Sequence, residues 1–328
     1  MYPTNDSNWH LVTTLSEESM GQPLLDQIVF FMKGYVLVFM LSFGTTGNIV
    51  SFLIFLRKNQ DGPIRYLCIL AVSDTGVLLF GLLTYWFRDA LYIFTNGVTF
   101  LDVFKFPISC KILLFSGDVC QCVSAWIIAA FSGERAFVVW YPFKRTFITS
   151  KKRNILIGII LLLSAIFCIH RLIYLNPNPN SYPTMCNISY LAIATRVALR
   201  QFKSTLYIYV PSAIIFCANS LIIVGISKSR DALQEGTSSK ENIQDKRMMM
   251  SLMSVSTLYV LLLLPDAVMI TYFDLPGDQG RVAELRMIAH LLAMIGSMNY
   301  CCNFIIYCCT LQFFRRTIAN VVTCRNRI

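Results

Sequence analysis

The sequence has little charge for its length. Only 14% of its 328 residues are Asp, Glu, Lys or Arg, against about 25% in a typical soluble domain. With 55% hydrophobic residues and a mean hydropathy of +0.58, the composition excludes an ordinary water-soluble domain. The chain has only three histidines and no HExxH pattern, so nothing indicates a metal-dependent hydrolase.

The first residues, MYPTNDSNWH, lack the basic region and apolar stretch of a cleavable signal peptide. We therefore expect the first apolar run to act as the membrane anchor. The twelve cysteines are numerous, but most lie inside apolar runs, where a thiol behaves as a small apolar side chain. Their number alone does not predict a disulfide-rich fold.

Long apolar runs recur along the chain, and a helix that crosses a membrane needs about 20 such residues. Seven runs qualify, which predicts an all-α membrane protein with a seven-transmembrane helix bundle. A transporter or channel would predict internal repeats, broken helices or charges along a pathway, so that alternative is less well supported. The runs are residues 34–56, 66–87, 112–133, 154–170, 204–227, 248–273 and 287–314.

The net charge of +10 could indicate a nucleic-acid partner or an anionic membrane surface. With the N-terminus outside, however, most Lys and Arg residues fall in the inner loops and tail, as the positive-inside rule requires. Topology explains the charge, and no nucleic-acid partner is predicted. Cys110 and Cys186 then lie outside, where an oxidising compartment permits a disulfide. The glycosylation sequons at Asn5 and Asn187 lie outside as well.

Short motifs occur in a particular order along these runs. They are Gly47-Asn48-Ile49-Val50, Leu70-Ala71-Val72-Ser73-Asp74, Glu134-Arg135-Ala136, Pro142-Phe143, Pro211, Pro265 and Asn303-Phe304-Ile305-Ile306-Tyr307. In this order and spacing the chain resembles the rhodopsin-like (class A) G-protein-coupled receptors over nearly its whole length. It departs from the family pattern at Ala136 (usually Tyr), Asn219 (Tyr), Leu263 (Trp in many members) and Phe304 (Pro).

The resemblance implies a receptor that is not itself an enzyme, in the plasma membrane with its N-terminus outside. Its partners would be an extracellular ligand, the lipid bilayer, a heterotrimeric G protein, and arrestin and receptor kinases. We expect an extracellular segment at 1–33, a receptor domain at 34–310, and a short amphipathic eighth helix with a cytoplasmic tail at 311–328. Cys324 in that tail is either a palmitoylation site or a plain free thiol.

The resemblance also implies an activation switch, in which Arg135 pairs with Glu134 and Asp245 at rest and is released to receive the G protein. Phe143 would dock into the G protein, and Asn303 and Tyr307 would rearrange. The alternative is an ordinary interfacial ion pair of little energetic value. A second implied site is a sodium pocket, an allosteric site built from Asp74, Ser124, Asn299 and Asn303. Its alternative is a hydrated polar network that fixes helix packing.

Polar residues in the outer halves of the spans are candidates for ligand binding, because helix bundles bind ligands between their helices. Their mixed charges suit a peptide, although Asp118 and Arg171 could instead pair only with each other. Gly117 at the position of the amine-binding Asp, and the absence of a span-seven lysine, with Ser297 there, argue against amine receptors and retinal pigments. The candidates are Asp118, Gln121, Arg171, Tyr207, Asp266, Arg286 and His290.

The stretch from Glu134 to Arg153, which contains WYPFKRTF, resembles neuropeptide receptors of invertebrate type, including FMRFamide-receptor relatives. The resemblance favours a neuropeptide as the ligand. The alternatives are a receptor for a lipid or another small molecule, and a receptor-like scaffold that does not signal, which the departures at Leu263 and Phe304 leave open.

Overall fold

The structure is a computed structural model that describes residues 31–58, 63–84, 86, 105–178, 185–188, 191–232, 240–274 and 282–323. The described chain is predominantly helical. Its helices are α1 Leu37–Arg57, α2 Ile64–Gly76, α3 Pro107–Trp140, α4 Ser150–Cys168, α5 His170–Tyr174, α6 Ile193–Ser204, α7 Val210–Ala232, α8 Lys240–Asp274, α9 Val282–Ser297, α10 Asn299–Thr310 and α11 Gln312–Val322. Two strands, β1 Asn176–Asn178 and β2 Met185–Asn187, pair antiparallel.

Short stretches of other helix types adjoin these helices. A 3-10 helix, Pro142–Phe147, follows α3. The π-helical turns are Met32–Val36 before α1, Val77–Leu82 after α2, and Thr205–Tyr209 between α6 and α7. Because the last of these turns continues the helix, α6 and α7 form one helical run.

Six helical stretches of the described chain are long and apolar enough to cross a membrane, and a bent pair supplies a seventh. The predicted seven-span all-α bundle is confirmed, with helices that extend beyond several of the predicted apolar runs. In chain order, the spans one to seven are Gly34–Arg57, Ile64–Leu82, Pro107–Trp140, Ser150–Tyr174, Ile193–Lys228, Arg247–Asp274, and Ile288–Ser297 with Asn299–Thr310, between which the chain bends by 41°.

The spans carry apolar side chains on their outer faces as well as in the core. Phe39, Leu162, Phe216 and Leu261 are all more than half exposed. A helix that is apolar all round is typical of a membrane span, and it satisfies its backbone polar groups internally, as lipid demands. The bundle therefore presents an apolar surface to lipid and keeps most of its buried polar groups between helices.

Spans one and seven approach closely at Gly47. A Cβ atom at this position would lie 2.8 Å from the Cβ of Phe304, closer than real carbon atoms approach. Glycine therefore leaves the space that Phe304 fills. The phenyl ring of Phe304 stands edge-on to that of Phe43, with centroids 6.1 Å apart. The family's proline is thus replaced here by an aromatic contact between the two spans.

The predicted eighth helix is confirmed as α11, which begins after Leu311 turns the chain out of span seven. Arg315 donates to the carbonyl oxygens of Cys308 and Cys309 at 2.9 and 2.7 Å and so satisfies carbonyl groups at the end of span seven. Phe314 is fully buried, while Arg315 and Arg316 are exposed. This division of faces is typical of a helix that lies on a membrane surface.

Candidate functional site

The predicted site residues fall at the centre of the bundle and at its two ends. We call the end at which Cys110 opens α3 the disulfide end, and the opposite end, where Arg135 lies, the Arg135 end. Asn5 and Cys324 lie outside the described residues, as do the side chains of Asp245 and Arg286. Asn187 closes β2 with a partly buried side chain.

Asp74 occupies the centre and is fully buried. Its carboxylate accepts a hydrogen bond from the hydroxyl of Ser124 at 2.6 Å and another from Nδ2 of Asn303 at 2.7 Å. Asn48 donates through Nδ2 to the carbonyl oxygen of Tyr300 at 2.9 Å. Spans two, three and seven therefore meet at one carboxylate, and span one is tied to span seven beside them.

Several buried amide atoms on these spans have no hydrogen-bond partner among the described residues. They are Oδ1 and Nδ2 of Asn299 and the Oδ1 atoms of Asn303 and Asn48. An unpaired buried polar atom costs about 1–3 kcal/mol, so such atoms normally hold an ion or ordered water. Carboxylate, hydroxyl and amide oxygens are the ligands that a hard cation takes. The residues fit a sodium ion, and the described ranges hold no cluster of His, Cys, Asp and Glu that could bind another metal.

Glu134 at the Arg135 end binds two arginines. Its carboxylate lies 3.0 Å from Nη2 of Arg135, and it also accepts from Nη2 and Nε of Arg153 at 2.8 and 3.1 Å. Arg153, from the first turn of α4, is only 6% exposed, and its guanidinium lies 5.8 Å from the ring centre of Tyr66. Glu134 therefore ties span three to span four through a bidentate pair, a geometry that adds both strength and specificity.

The other residues implied in the switch differ in exposure. Phe143 is 97% exposed on the 3-10 helix. Tyr307 is buried, with its ring 5.1 Å from that of Phe55 and 5.8 Å from that of Phe314. Tyr307 thus joins span seven to span one and to α11.

A disulfide between Cys110 and Cys186 closes the opposite end of the bundle. Cys186 lies in β2 opposite Pro177 of β1, so the bond attaches the small hairpin to the first turn of α3. Leu175, Leu114 and Ile188 pack around it. The predicted disulfide is therefore present.

Asp118 lies about two turns farther along α3 than Cys110. Two cationic side chains bond to its carboxylate. Oδ2 accepts from Nε of Arg171 at 2.6 Å, and Oδ1 accepts from Nζ of Lys203 at 2.6 Å. Three spans contribute one charged group each. A cationic ligand group would have to displace Lys203 or Arg171, because both carboxylate oxygens are already bonded.

The remaining described ligand candidates are buried or partly buried. Tyr207 is only 3% exposed and lies 2.8 Å from the thiol of Cys168, so its hydroxyl contacts span four. Asp266 is partly buried directly after Pro265 and interacts electrostatically with Lys203. Gln121 and His290 are partly buried.

Sequence reasoning missed the roles of Arg153 and Lys203. From the sequence alone, both are simply two of the 28 Lys and Arg residues of the chain. The available signal was their position: Arg153 and Lys203 each directly precede an apolar run, where a cation must either reach water or pair.

Comparison with known proteins agrees with this architecture. A family model described as "7 transmembrane receptor (rhodopsin family)" matches residues 47–307, which contain all seven spans except the first half of span one and the end of span seven. No curated protein gives a significant match to the chain. Receptors of this family are signalling proteins that couple to G proteins and are not enzymes. The chain belongs to the rhodopsin family of seven-transmembrane receptors.

Proposed function

We propose that this receptor binds an extracellular neuropeptide, of the kind recognised by invertebrate FMRFamide-receptor relatives, and activates a heterotrimeric G protein in response. The observation that carries the proposal is the cluster of Asp118, Arg171 and Lys203 between spans three, four and five. Charges of both signs lie side by side there, with Asp266 near them. A peptide offers amide, amine, carboxylate and guanidinium groups together, so it can use such a site in several ways.

The proposal places the disulfide end outside the cell and the Arg135 end in the cytoplasm of a plasma-membrane receptor, with residues 1–33 outside, 34–310 as the receptor domain and 311–328 at the inner surface. The distribution of Lys and Arg supports this orientation, as does a disulfide at the outer end. Asn5 and Asn187 would then be available for glycosylation, and Cys324 would lie where palmitoylation occurs.

The proposal assigns the switch to Arg135, held at rest by Glu134 at 3.0 Å. Release of Arg135 would open the inner face to the G protein, with the exposed Phe143 as an apolar contact. Asp245, Asn303 and Tyr307 would take part, and arrestin and receptor kinases would bind the same inner surface. Arg135 and Arg153 both bond to Glu134, which supports a resting state in which Arg135 is held in place.

The proposal also includes sodium as an allosteric ligand of Asp74, Ser124, Asn299 and Asn303. An ion bound only to the folded receptor stabilises it by about 1.4 kcal/mol at tenfold excess over its Kd. Replacing choline chloride by sodium chloride at equal ionic strength is therefore expected to raise the Tm of the purified receptor. The Asp74→Asn variant is expected to lose this rise, because it removes the charge that the ion would neutralise.

The matched control for this variant is Asp274→Asn, which removes a carboxylate at the disulfide end, where it pairs with Arg200. It should keep the sodium response. Equal Tm values of the wild-type receptor in the two salts would leave the polar groups around Asp74 as a hydrated network without an ion.

The ligand class is tested by a screen of amidated neuropeptides in a G-protein dissociation assay in cells, with Arg135→Ala as the signalling-deficient control. A dose-dependent response of the wild-type receptor that the control lacks establishes a peptide receptor. A flat response from receptor that is present at the cell surface refutes the neuropeptide, and it favours a lipid or small-molecule ligand or a scaffold that does not signal.

A further inference from the structure

A cavity of about 370 Å³ lies at the disulfide end, between α5, the strand β2 and α6. Its size is sufficient for one or two side chains of a ligand. Apolar side chains form much of its wall, including Leu175, Ile188, Ile193 and Val197. Three arginines, Arg171, Arg196 and Arg200, also line it, and none of the described residues of the wall is acidic.

Two of these arginines already have carboxylate partners. Arg171 binds Asp118 at 2.6 Å, and Arg200 binds Asp274 at 2.9 Å. Arg196 has no ion pair with any described residue, and its Nε–H is buried without an acceptor among them. Arg196 is therefore the arginine of the cavity wall whose charge the described part of the chain does not balance.

Among the described residues, the surrounding charges do not compensate for Arg196. Lys203 adds a fourth cation, bonded to the same Asp118 carboxylate that Arg171 binds. The described carboxylates that bond to or interact with these cations are Asp118, Asp274 and Asp266, so among these described groups the four cations exceed the three carboxylates. A positive excess in a partly desolvated cavity attracts anions more strongly than it would in water.

The shape of the guanidinium group indicates which kind of anionic ligand group fits the cavity. Arginine presents parallel N–H donors that match the two oxygens of a carboxylate, and such charge-assisted bonds are about twice as strong as neutral ones. An acidic ligand group would also satisfy the buried Nε–H of Arg196, for which the described residues supply no acceptor. The apolar wall beside it suits an aliphatic or aromatic neighbour of that acidic group.

We propose that this cavity binds an acidic residue of the peptide ligand, with Arg196 as the partner of its carboxylate and an adjacent apolar residue against Leu175, Ile188, Ile193 and Val197. The inference rests on the proposed peptide receptor and specifies the chemistry of its ligand. Asp118 then serves to hold Arg171 and Lys203 in place rather than to bind a ligand cation.

The test uses three tripeptide probes, acetyl-Leu-Glu-Leu-amide and its Gln and Lys counterparts, with the purified receptor in lipid nanodiscs. The measured quantity is the apparent Kd from the rise in Tm with probe concentration. The wild-type receptor is expected to bind the Glu probe about tenfold more tightly than the Gln probe. Arg196→Gln should lose this preference, and Arg196→Glu should prefer the Lys probe.

The matched control is Lys105→Gln, which removes an exposed positive charge at the disulfide end without altering the cavity wall. It should keep the wild-type preference. Equal binding of the Glu and Gln probes to the wild-type receptor would overturn the inference, and so would an unchanged preference in Arg196→Gln.

The Tm measurement does not depend on signalling, so the two proposals fail separately. A silent neuropeptide screen combined with an Arg196-dependent preference for the Glu probe refutes the proposed receptor function and keeps the acid site. An active screen with no such preference keeps the peptide receptor and refutes the acid site.

Discussion

Arg135→Ala is expected to abolish ligand-stimulated G-protein dissociation while the receptor still reaches the cell surface in near-normal amounts. Signalling is lost because the variant removes the cation that we assign to the switch. Folding survives because Glu134 keeps both hydrogen bonds from Arg153, at 2.8 and 3.1 Å. Glu134 therefore keeps a cationic partner. A buried carboxylate without one would destabilise the protein by about 3–5 kcal/mol.

Two further variants test whether the loss of signalling is specific to Arg135. Lys151→Ala removes an exposed cation near the start of α4 and should signal normally. Arg153→Ala leaves Glu134 with Arg135 as its one remaining described arginine partner and is expected to lower Tm and surface expression. Surface expression is measured by labelling of intact cells and signalling by G-protein dissociation. Full signalling by Arg135→Ala at matched expression would falsify the switch assignment.

Cys186→Ser is expected to weaken ligand binding by at least tenfold and to lower the Tm of the purified receptor. The disulfide joins residues 76 apart in sequence, and closing a loop of that length stabilises a fold by about 4.5 kcal/mol in the chain-entropy model. Without it, the hairpin that carries Asn187 and Ile188 into the cavity wall is no longer attached to α3. Ordering each freed residue again on binding costs roughly 1–2 kcal/mol.

The controls for this variant use the other cysteines. Cys110→Ser should reproduce the effect, and the double variant should be no worse than either single one, because all three remove the same bond. Cys217→Ser changes an exposed free cysteine of span five and should leave binding and Tm unchanged. Wild-type affinity in Cys186→Ser would show that the hairpin keeps its position without the covalent bond.

The number and order of the spans could be predicted because apolar length is a one-dimensional property of the sequence. The ends of the spans could not be predicted, because a helix can continue beyond its apolar run into polar residues. The helix α3 runs to Trp140, seven residues beyond the predicted run. The 41° bend after Ser297 was also missed. No proline marks it, and Gly296 alone does not predict a bend.

The burial of Asp74 within an apolar span and the pairing of Cys110 with Cys186 could be predicted from the sequence. Partners on different helices were less predictable, because they depend on how each helix is rotated about its axis. Arg153 and Lys203 needed the structure before their carboxylates could be named. Nothing in the sequence distinguishes Arg196 from other basic residues, and the cavity wall is needed to show that the described residues do not balance its charge.

Span five, at 36 residues, is about 54 Å long at 1.5 Å per residue, well beyond a hydrocarbon layer of about 30 Å. Its first turn carries Arg196, and its other end meets α3, where Nε1 of Trp140 donates to the carbonyl of Leu221 at 2.8 Å. A tilt of about 5° about the midpoint of a helix of this length would move each end by roughly 2 Å, comparable to helix shifts in allosteric proteins. One continuous helical run therefore joins Arg196 in the cavity wall to the helix that carries Arg135.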